Sequence, residues 1–532
     1  MSISLDAKQQ NIEDIFQIGS KQYVIPDYQR AYSWGYDECY KLFDDIIEAF
    51  KQEEEYFLGN IIIAKSNSNK NGLINELEVI DGQQRLTSLL IFLKILNILY
   101  PKNKGPNKCI WFEDDESDDK FPRIISKIIE IKEEKGLLEN IFKISKKELD
   151  NDVKPIIKDG ELDVKQLHTN FPSRFYQNAL IFYFLLYSFF KQNDKYEILD
   201  FIRYFLTNIS MLPIELYGDD KKKASEKALK VFETINNRGL DLSDADIFKA
   251  KLYYLSEDTD GFINRWKELK EKSDNLGIKI NDLFRYYSHI IRGKEKKVGS
   301  EIGLRNFFTT VNYSPLKLKS SQEIMNDLFK IVTLLEKLDF IKKERKPLSK
   351  WIQILELYTN QYPKYAVIVY LFNRGFDNEF EKFLEHLIRF IYYKGSTTNI
   401  KYDIYNLIYN ITFKQKMIIY NSYNIEELYL GRLKKGFALI GHYLNNSNSI
   451  YPYKIDRIIS TKNTITLSKD WKLLTSSKQK MALNNLGNMI VYQDKKEYEE
   501  LKNKIKNSYE ELEKRNKQIT DKILNFIKGT ND

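Results

Sequence analysis

The residues whose types and spacing could do chemistry together are densest between Glu78 and Leu93, EVIDGQQRLTSLLIFL. Val79 and Ile80 end a short apolar run of strand character, and Asp81 and Gly82 interrupt that run. Leucines then recur at helical spacing, at Leu86, Leu89, Leu90 and Leu93. The pattern predicts a polar elbow that joins a buried strand to a buried helix.

The elbow places Gln83, Gln84 and Arg85 at the start of the predicted helix. Free backbone amides and the positive end of the helix dipole favour an anion such as phosphate there. Arg85 adds a fixed fork of hydrogen-bond donors for the same anion. The alternative is a plain helix start, in which Asp81 caps the helix and the glutamines face solvent.

An aromatic loop follows the first predicted strand, KQYVIPDYQR, which Pro26 ends. Tyr28, Gln29 and Arg30 lie in this loop, and Tyr32 and Trp34 follow them. Aromatic rings beside an arginine can stack on a base or clamp a phosphate. The alternative is a loop whose aromatic residues only attach it to the core.

A second polar elbow is predicted within Glu226–Leu255, between two amphipathic helices. Asn236 and Arg238 lie at the end of the first helix, where Gly239 suits a left-handed C-terminal position. Ser243 with Asp246 has the spacing of a capping box that starts the second helix. Asn236, Arg238, Asp246 and Lys249 can hold a ligand, or they can form a salt-bridged turn.

The elements around these motifs predict a mostly helical α+β protein. Residues 57–65 and 77–80 read as two strands of a hairpin, and 209–216 reads as a strand that returns to the same small mixed sheet. Residues 101–205 read as a helical insertion, and 256–420 as a helical bundle. We therefore expect domains at 1–255, 256–420 and 421–532.

Composition narrows the class of protein. The chain has 532 residues, 42% of them hydrophobic, and two cysteines far apart in the sequence. This pattern excludes a disulfide scaffold and favours a reducing, cytoplasmic setting. The longest apolar run, residues 179–190, is too short to span a bilayer, so we expect a buried helix and no membrane partner.

Positive charge is concentrated near the C-terminus. Residues 421–532 carry 20 Lys plus Arg against 13 Asp plus Glu, whereas the remainder is nearly balanced. A basic surface there suits a polyanion such as DNA or RNA. The alternative is that the lysines reflect only base composition.

Four segments in this order, IPDYQRAYSW, FLGNIIIA, VIDGQQRLTSLL and FETINNRGLDLSDADIFKA, resemble the N-terminal domain of GmrSD-type restriction and phage-defence proteins. The resemblance implies a ParB- or sulfiredoxin-like fold that handles a nucleoside triphosphate, whose hydrolysis regulates or powers DNA restriction. It further implies a set of site residues, in which the first elbow and the aromatic loop share one pocket with residues of the second elbow: Asp81, Gly82, Gln83, Gln84, Arg85, Tyr28, Gln29, Arg30, Glu233, Asn236, Arg238 and Asp246.

Side-chain chemistry gives these residues expected roles. Arg85 and Arg30 can neutralise phosphate oxygens, and Asp81 or Glu233 can hold a Mg²⁺ ion that bridges them. One of the glutamines, Gln83 or Gln84, can orient a water for in-line attack.

The C-terminal region resembles the HNH-like, ββα-metal nuclease domain of the related proteins, but in degenerate form. YKIDRIIS, Trp471 and NNLGNMIVY stand where that domain has its motifs, with Asp456 and Asn488 as candidate metal neighbours. Arg457 occupies the place of the histidine, and arginine stays protonated and cannot take a proton from water. We therefore expect a domain that contacts DNA without cutting it.

Three functions remain open at this point. The first is a defence protein that binds and hydrolyses a nucleoside triphosphate with Mg²⁺ and contacts DNA, including modified phage DNA. The second is an active modification-dependent HNH-like endonuclease. The third is a non-catalytic nucleotide- or DNA-binding adaptor that recruits a separate nuclease. The partners we expect besides DNA are a separate nuclease or further copies of this chain in a homo-oligomer.

Overall fold

The computed structural model describes residues 5–66, 74–113, 119–128, 134–193, 196–236, 243–395, 399–413, 423, 425–446, 451–459, 469–505 and 508–529. The chain forms two compact units, Met1–Lys267 and Glu268–Asp532. Helices dominate the described part of both units, and the described β-strands form one mixed sheet and three small two-stranded sheets. The predicted mostly helical α+β class is confirmed, while the division into three domains stays a prediction.

The first unit contains eleven of the described strands. They are β1 Leu5–Ala7, β2 Gln10–Asn11, β3 Lys21–Ile25, β4 Tyr56–Ser66, β5 Asn75–Asp81, β6 Trp111–Glu113, β7 Lys120–Pro122, β8 Ile124–Ser126, β9 Ile157–Lys158, β10 Glu161–Leu162 and β11 Ile209–Gly218. The main sheet has the order β1-β11-β4-β5-β3-β8, with β2 also paired to β11.

Strand pairing confirms several expectations. β4 and β5 are antiparallel, with Ala64 opposite Glu78, as the predicted hairpin requires. β11 returns to the sheet parallel to β4, and β3 lies parallel to β5. The segment predicted as a helical insertion is mainly helical, but it also supplies β8, which pairs with β3. The three-residue length of β8 explains why its periodicity gave no strand signal.

Twelve helices surround this sheet within the described part of the first unit, the last of them ending in the second unit. They are α1 Ile12–Gln17, α2 Tyr36–Gln52, α3 Gln83–Leu99, α4 Lys104–Ile110, α5 Glu134–Lys143, α6 Lys146–Val153, α7 Val164–Asn170, α8 Arg174–Gln192, α9 Ile198–Thr207, α10 Lys221–Asn236, α11 Asp244–Leu255 and α12 Thr259–Asn275.

The two faces of the sheet are covered by different helices. Leu77 and Val79 of β5 point into the main hydrophobic core, to which α3 and α8 also contribute. Side chains alternate along a strand, so Glu78 and Ile80 point to the opposite face. α10 packs on that face, against β4, β5 and β11. Both faces are therefore buried, which makes a charged residue within β5 unusual.

The second unit is almost entirely helical. Its elements are α13 Ile280–Lys294, α14 Leu304–Thr309, α15 Pro315–Leu318, α16 Ser321–Lys343, α17 Pro347–Glu356, α18 Tyr362–Arg374, α19 Phe380–Lys394, α20 Lys401–Thr412, α21 Lys434–Asn445, β12 Lys454–Arg457, α22 Lys469–Lys472, α23 Ser476–Asn484, β13 Met489–Tyr492, α24 Lys495–Ile505 and α25 Tyr509–Lys528. In the described ranges, no helix combines the length and apolarity that crossing a bilayer requires.

Candidate functional site

The backbone of the first elbow depends on a glycine. β5 ends at Asp81, α3 begins at Gln83, and Gly82 between them has φ +91°. A Cβ at this position would lie 2.5 Å from Ile61 Cγ2. The amide of Leu86 donates to the Gly82 carbonyl at 3.0 Å and closes the first helical turn. The sharp turn therefore needs glycine for both conformation and space.

Gln84 attaches the aromatic loop to the elbow. Its Oε1 accepts hydrogen bonds from the amides of Ser33 (2.8 Å) and Trp34 (3.3 Å). Its Nε2 donates to the Ala31 carbonyl at 3.2 Å. An amide side chain has one acceptor and one donor group, and here both serve the loop backbone. The side chain is buried, so this geometry favours a structural role over water activation.

Gln83 makes a similar attachment one residue earlier. Its Nε2 donates to Gln29 Oε1 at 3.2 Å and to the Arg30 carbonyl at 3.1 Å. Gln29 in turn donates to the Ile80 carbonyl at 2.9 Å. Hydrogen bonds thus join the aromatic loop, including Gln29 and the Arg30 backbone, to both elbow glutamines, while a shared ligand site stays a prediction.

Arg85 is held beside the start of α3. Its Nη1 donates to the Leu58 carbonyl at 2.8 Å, and its Nη2 lies 3.9 Å from Asp81 Oδ2. The guanidinium passes so close to Gly59 that a Cβ there would be 2.3 Å from Nη1. About a quarter of the Arg85 side chain is exposed, 26%. A half-anchored guanidinium next to free helix amides is the arrangement that a phosphate group needs.

Tyr28 points away from this assembly, toward the other face of the sheet. Its hydroxyl lies 2.9 Å from Glu78 Oε1, and the Tyr254 hydroxyl lies 2.7 Å from the same oxygen. Ser225 also donates to Oε1 at 3.1 Å, and Lys221 Nζ lies 3.3 Å from Oε2. The structure therefore separates Tyr28 from Gln29 and Arg30, although all three are neighbours in sequence.

We refer to Glu78, Tyr28, Tyr254, Ser225 and Lys221 as the Glu78 cluster. Burial, together with the negative charge of Glu78, raises the pKa of both tyrosines well above the ordinary value. Both hydroxyls therefore keep their protons and act as donors at neutral pH. A cavity of about 340 Å³ adjoins the cluster.

Sequence reasoning missed the Glu78 cluster. The sequence offers one signal for it, a glutamate inside the apolar run LEVI. In a strand that is buried on both faces, such a glutamate needs buried hydrogen-bond partners. Tyr254 and Ser225 approach Glu78 from distant helices, α11 and α10, and no local pattern predicts that.

Only part of the second elbow can be compared with the expectation. Ser243 Oγ donates to Asp246 Oδ2 at 2.9 Å and accepts from the Asp246 amide at 3.3 Å, which confirms the predicted helix cap. The side chains of Glu233 and Asn236, together with Arg238 and Gly239, lie outside the described residues. Convergence of the two elbows on one pocket therefore stays a prediction.

The acids at the elbow fit a Mg²⁺ ion only if a bound nucleotide and waters supply the other ligands. The described residues contain no group of three or more His, Cys, Asp or Glu that could hold a metal. Asp81 is a single carboxylate beside Arg85. Mg²⁺ is often held by one or two carboxylates together with substrate phosphates and waters, so Asp81 fits an ion that arrives with a nucleotide.

The structure does not bring the C-terminal candidate residues together. β12 and β13 pair antiparallel, but Asp456 and Arg457 are consecutive in β12 and so point to opposite faces. Asp456 accepts a hydrogen bond from the Tyr492 hydroxyl, which raises the pKa of Tyr492 to about 12. Arg457 donates to Asn484 at 3.1 Å.

Asn488, the third candidate, is fully buried and engaged with the backbone. Its Oδ1 accepts from the Ile459 amide at 2.8 Å, and its Nδ2 donates to the carbonyls of Ile459 (3.0 Å) and Leu483 (2.9 Å). Its amide therefore stabilises the fold beside β13 and does not face a site shared with Asp456.

Comparison with known proteins finds a similarity within the first unit. Residues 12–253 match the family described as GmrSD restriction endonuclease, N-terminal domain. The chain is also 25% identical to the Uncharacterized protein MJ0686 of Methanocaldococcus jannaschii over 280 residues, which are 48% of this chain and 43% of that relative. The chain thus spans less than half the length of the curated relative it matches. Residues 12–253 are therefore similar to the N-terminal domain of GmrSD restriction endonucleases, and this similarity supports a protein of the restriction or defence type.

Proposed function

We propose that the first unit binds a nucleoside triphosphate at the elbow between β5 and α3 and hydrolyses it. The observation that carries the proposal is the position of Arg85. Contacts with Leu58 and Asp81 hold its guanidinium beside the first turn of α3. Backbone amides and a fixed arginine together suit phosphate oxygens, and the nucleoside triphosphate that the resemblance to GmrSD-type proteins implies would supply them.

The roles proposed for the site follow from this geometry. Arg85 binds a phosphate oxygen with the donors that its backbone contacts leave unused, and Arg30 adds a second positive charge. Asp81 holds Mg²⁺, which supplies charge neutralisation for the phosphates when it is bound. Glu233, Asn236, Arg238 and Asp246 complete the pocket in this proposal.

We further propose that DNA is the partner whose restriction this nucleotide site controls. Residues 12–253 are similar to the N-terminal domain of a restriction endonuclease family, and this supports DNA as the substrate of the wider system. The basic excess of residues 421–532 supports a DNA contact in the second unit. The arrangement of Asp456, Arg457 and Asn488 argues against DNA cleavage at this position by this chain.

A second candidate function is a non-catalytic adaptor that binds nucleotide without turnover. The observation that favours it is Gln84, whose carbonyl oxygen and amide nitrogen both bond to the loop backbone, which favours a structural role over orienting a water. The two functions differ in one measurable outcome. Triphosphate stabilises an adaptor without release of phosphate, whereas a hydrolase is stabilised by triphosphate and also releases phosphate.

The test uses the full chain with each ribo- and deoxyribonucleoside triphosphate, with and without Mg²⁺ and DNA. Phosphate release measures hydrolysis, the unfolding midpoint measures binding, and plasmid nicking measures cleavage. We expect Arg85→Ala to weaken triphosphate binding about 10- to 100-fold, because a charge-assisted hydrogen bond contributes about 1.5–3 kcal/mol.

Arg203→Ala is the matched control, because this exposed arginine in α9 pairs only loosely with Asp200 at 3.4 Å. Arg85→Lys keeps the charge and separates phosphate binding from loss of fold. Triphosphate turnover that is unchanged in folded Arg85→Ala protein contradicts the assignment of the elbow. Nicked DNA that disappears in Asp456→Ala protein would instead support the endonuclease.

A further inference from the structure

A large groove in the first unit lies apart from the elbow. Its volume is about 1050 Å³, and it is lined by the end of α1, by α4 and by the β6–β7 pair. Six of its residues define what we name the basic-aromatic groove: Lys104, Lys108, Trp111, Lys120, Phe121 and Arg123. None of the elbow residues lines it, so its chemistry is separate from that of the proposed nucleotide site.

The charge of the groove is mainly positive. Among the described lining residues, four are Lys or Arg and one, Glu113, is acidic. Glu113 is engaged with Lys120 at 2.8 Å in an exposed ion pair. Lys104 and Lys108 are exposed on α4, one helical turn apart. The groove therefore attracts an anionic ligand that offers more than one negative charge.

Arg123 is the most informative residue of the groove. It is only 4% exposed, and its Nη atoms donate to the carbonyls of Gly19 (2.5 Å), Lys21 (3.3 Å) and Gln17 (3.3 Å). Its Nε is buried and has no hydrogen-bond partner within the described part of the chain. Because burial disfavours the charged form, the pKa of Arg123 is lowered. Arg123 therefore adds a buried positive charge to the wall of the groove.

Aromatic rings lie between these cations. The guanidinium of Arg123 lies 4.8 Å from the centre of the Phe112 ring, and Phe112 stacks on Phe121 at 5.4 Å. Trp111 and Phe121 are each partly exposed. Alternating aromatic and basic side chains suit unpaired nucleotides, whose bases stack on the rings while their phosphates meet the cations. A duplex hides its base faces and cannot use the rings in this way.

We propose that the basic-aromatic groove binds a short unpaired nucleic-acid strand. The proposal rests on the proposed function only in taking nucleic acid as the partner. It adds the surface that receives the strand and the single-stranded form of the ligand. It does not depend on triphosphate turnover at the elbow or on contacts made by the second unit.

The test measures binding of the full chain to a labelled oligonucleotide by fluorescence anisotropy at several salt concentrations. Three ligands of one sequence are compared: single-stranded DNA, single-stranded RNA and duplex DNA. We expect either single strand to bind more tightly than the duplex, and the DNA and RNA arms decide which sugar the groove prefers. Equal or tighter binding of the duplex overturns the proposal.

Substitutions locate the binding surface. Lys104→Ala with Lys108→Ala removes two phosphate contacts, each worth about fivefold in affinity at 0.1 M salt and about 0.7 in the salt slope. The matched control is Lys102→Ala with Lys158→Ala, which removes two exposed lysines that do not line the groove. An effect no larger than that of the control overturns the assignment.

Two further variants test base stacking and the nucleotide site separately from the contribution of the lysine charges. Trp111→Phe should remove part of the fluorescence quenching that the bound strand causes, because a base stacks on that ring. Quenching that is unchanged in Trp111→Phe protein contradicts the stacking role. Arg85→Ala should bind the strand normally even where it loses triphosphate turnover, so failure of one proposal is distinguishable from failure of the other.

Discussion

The Glu78 cluster gives the sharpest prediction about the energetics of this protein. Tyr254→Phe removes one hydroxyl and leaves the ring in place. That hydroxyl lies 2.7 Å from Glu78 Oε1 and 2.5 Å from the Tyr28 hydroxyl, in a region where Glu78 is only 5% exposed. The variant therefore tests one buried, charge-assisted hydrogen bond with almost no change in packing.

The expected cost follows from the burial of the acceptor. Hydrogen bonds to charged groups contribute about 1.5–3 kcal/mol, and Glu78 keeps its remaining donors in the variant. We therefore expect the free energy of unfolding to fall by about 2 kcal/mol. For a unit of this size, that loss lowers the midpoint of thermal unfolding by roughly 4–8 °C.

The assay is urea and thermal unfolding of the full chain, followed by tryptophan fluorescence. Tyr253→Phe is the matched control, because the adjacent hydroxyl makes a longer bond, 3.3 Å, to Asp27. We expect the control to lose less than about 1 kcal/mol. A double-mutant cycle with Glu78→Gln then isolates the coupling between the hydroxyl and the carboxylate charge.

Two outcomes would refute this reasoning. The first is a decrease of less than about 0.5 kcal/mol in the free energy of unfolding of Tyr254→Phe, because substitutions at exposed positions have effects of that size. The second is an equal loss in the presence and absence of Glu78→Gln, which would mean that the hydroxyl does not act through the carboxylate.

Two other predictions concern the elbow glycine and a buried histidine. Gly82→Ala should lower the free energy of unfolding by about 2–4 kcal/mol, because Ala at φ +91° is strained and its Cβ meets Ile61. Gly160→Ala is the control: its Cβ at φ +84° meets no atom within 4 Å, so the loss should be the strain alone, about 1–2 kcal/mol. Equal losses of the two variants in urea unfolding would contradict this prediction. Burial lowers the pKa of His289 to about 3, so below pH 6.5 the unfolded state binds a proton that the folded state does not, and stability should fall by about 1.4 kcal/mol per pH unit toward pH 3. His289→Phe should flatten this acid limb, and an unchanged pH profile would show that His289 does not cause it.

Strand and helix periodicity predicted most of what positions the elbow. The apolar run before Asp81 and the leucines after Arg85 gave β5 and α3, and the turn residues between residues 65 and 75 gave the β4–β5 pairing. These are local signals, because each depends on residues that are close in sequence.

The site itself was predicted only in part, for a physical reason. The motif around Asp81 predicted an anion site at a helix start; the site stays a prediction, and Arg85 lies beside that helix start. The direction in which each side chain points depends on tertiary contacts, and the spacing of residues in the sequence does not predict these contacts. Tyr28 turns to Glu78 because α11 supplies Tyr254 on that face, while its neighbour Gln29 turns to Gln83. Chain geometry explains why adjacent side chains point in opposite directions. It does not predict which residue each of them contacts.

The same contacts explain why the elbow carries two glutamines. A loop that is attached through its backbone presents both N–H donors and C=O acceptors, and among uncharged side chains the amide offers the complementary pair over the required reach. Gln84 uses both ends, on Ser33 and Ala31, and Gln83 uses its donor on Arg30. A glutamate at either position would set a carboxylate against a carbonyl oxygen, and a leucine would leave buried backbone groups unsatisfied. The glutamines therefore fix the loop, which leaves Arg85 and the amides of α3 as the groups proposed to bind phosphate.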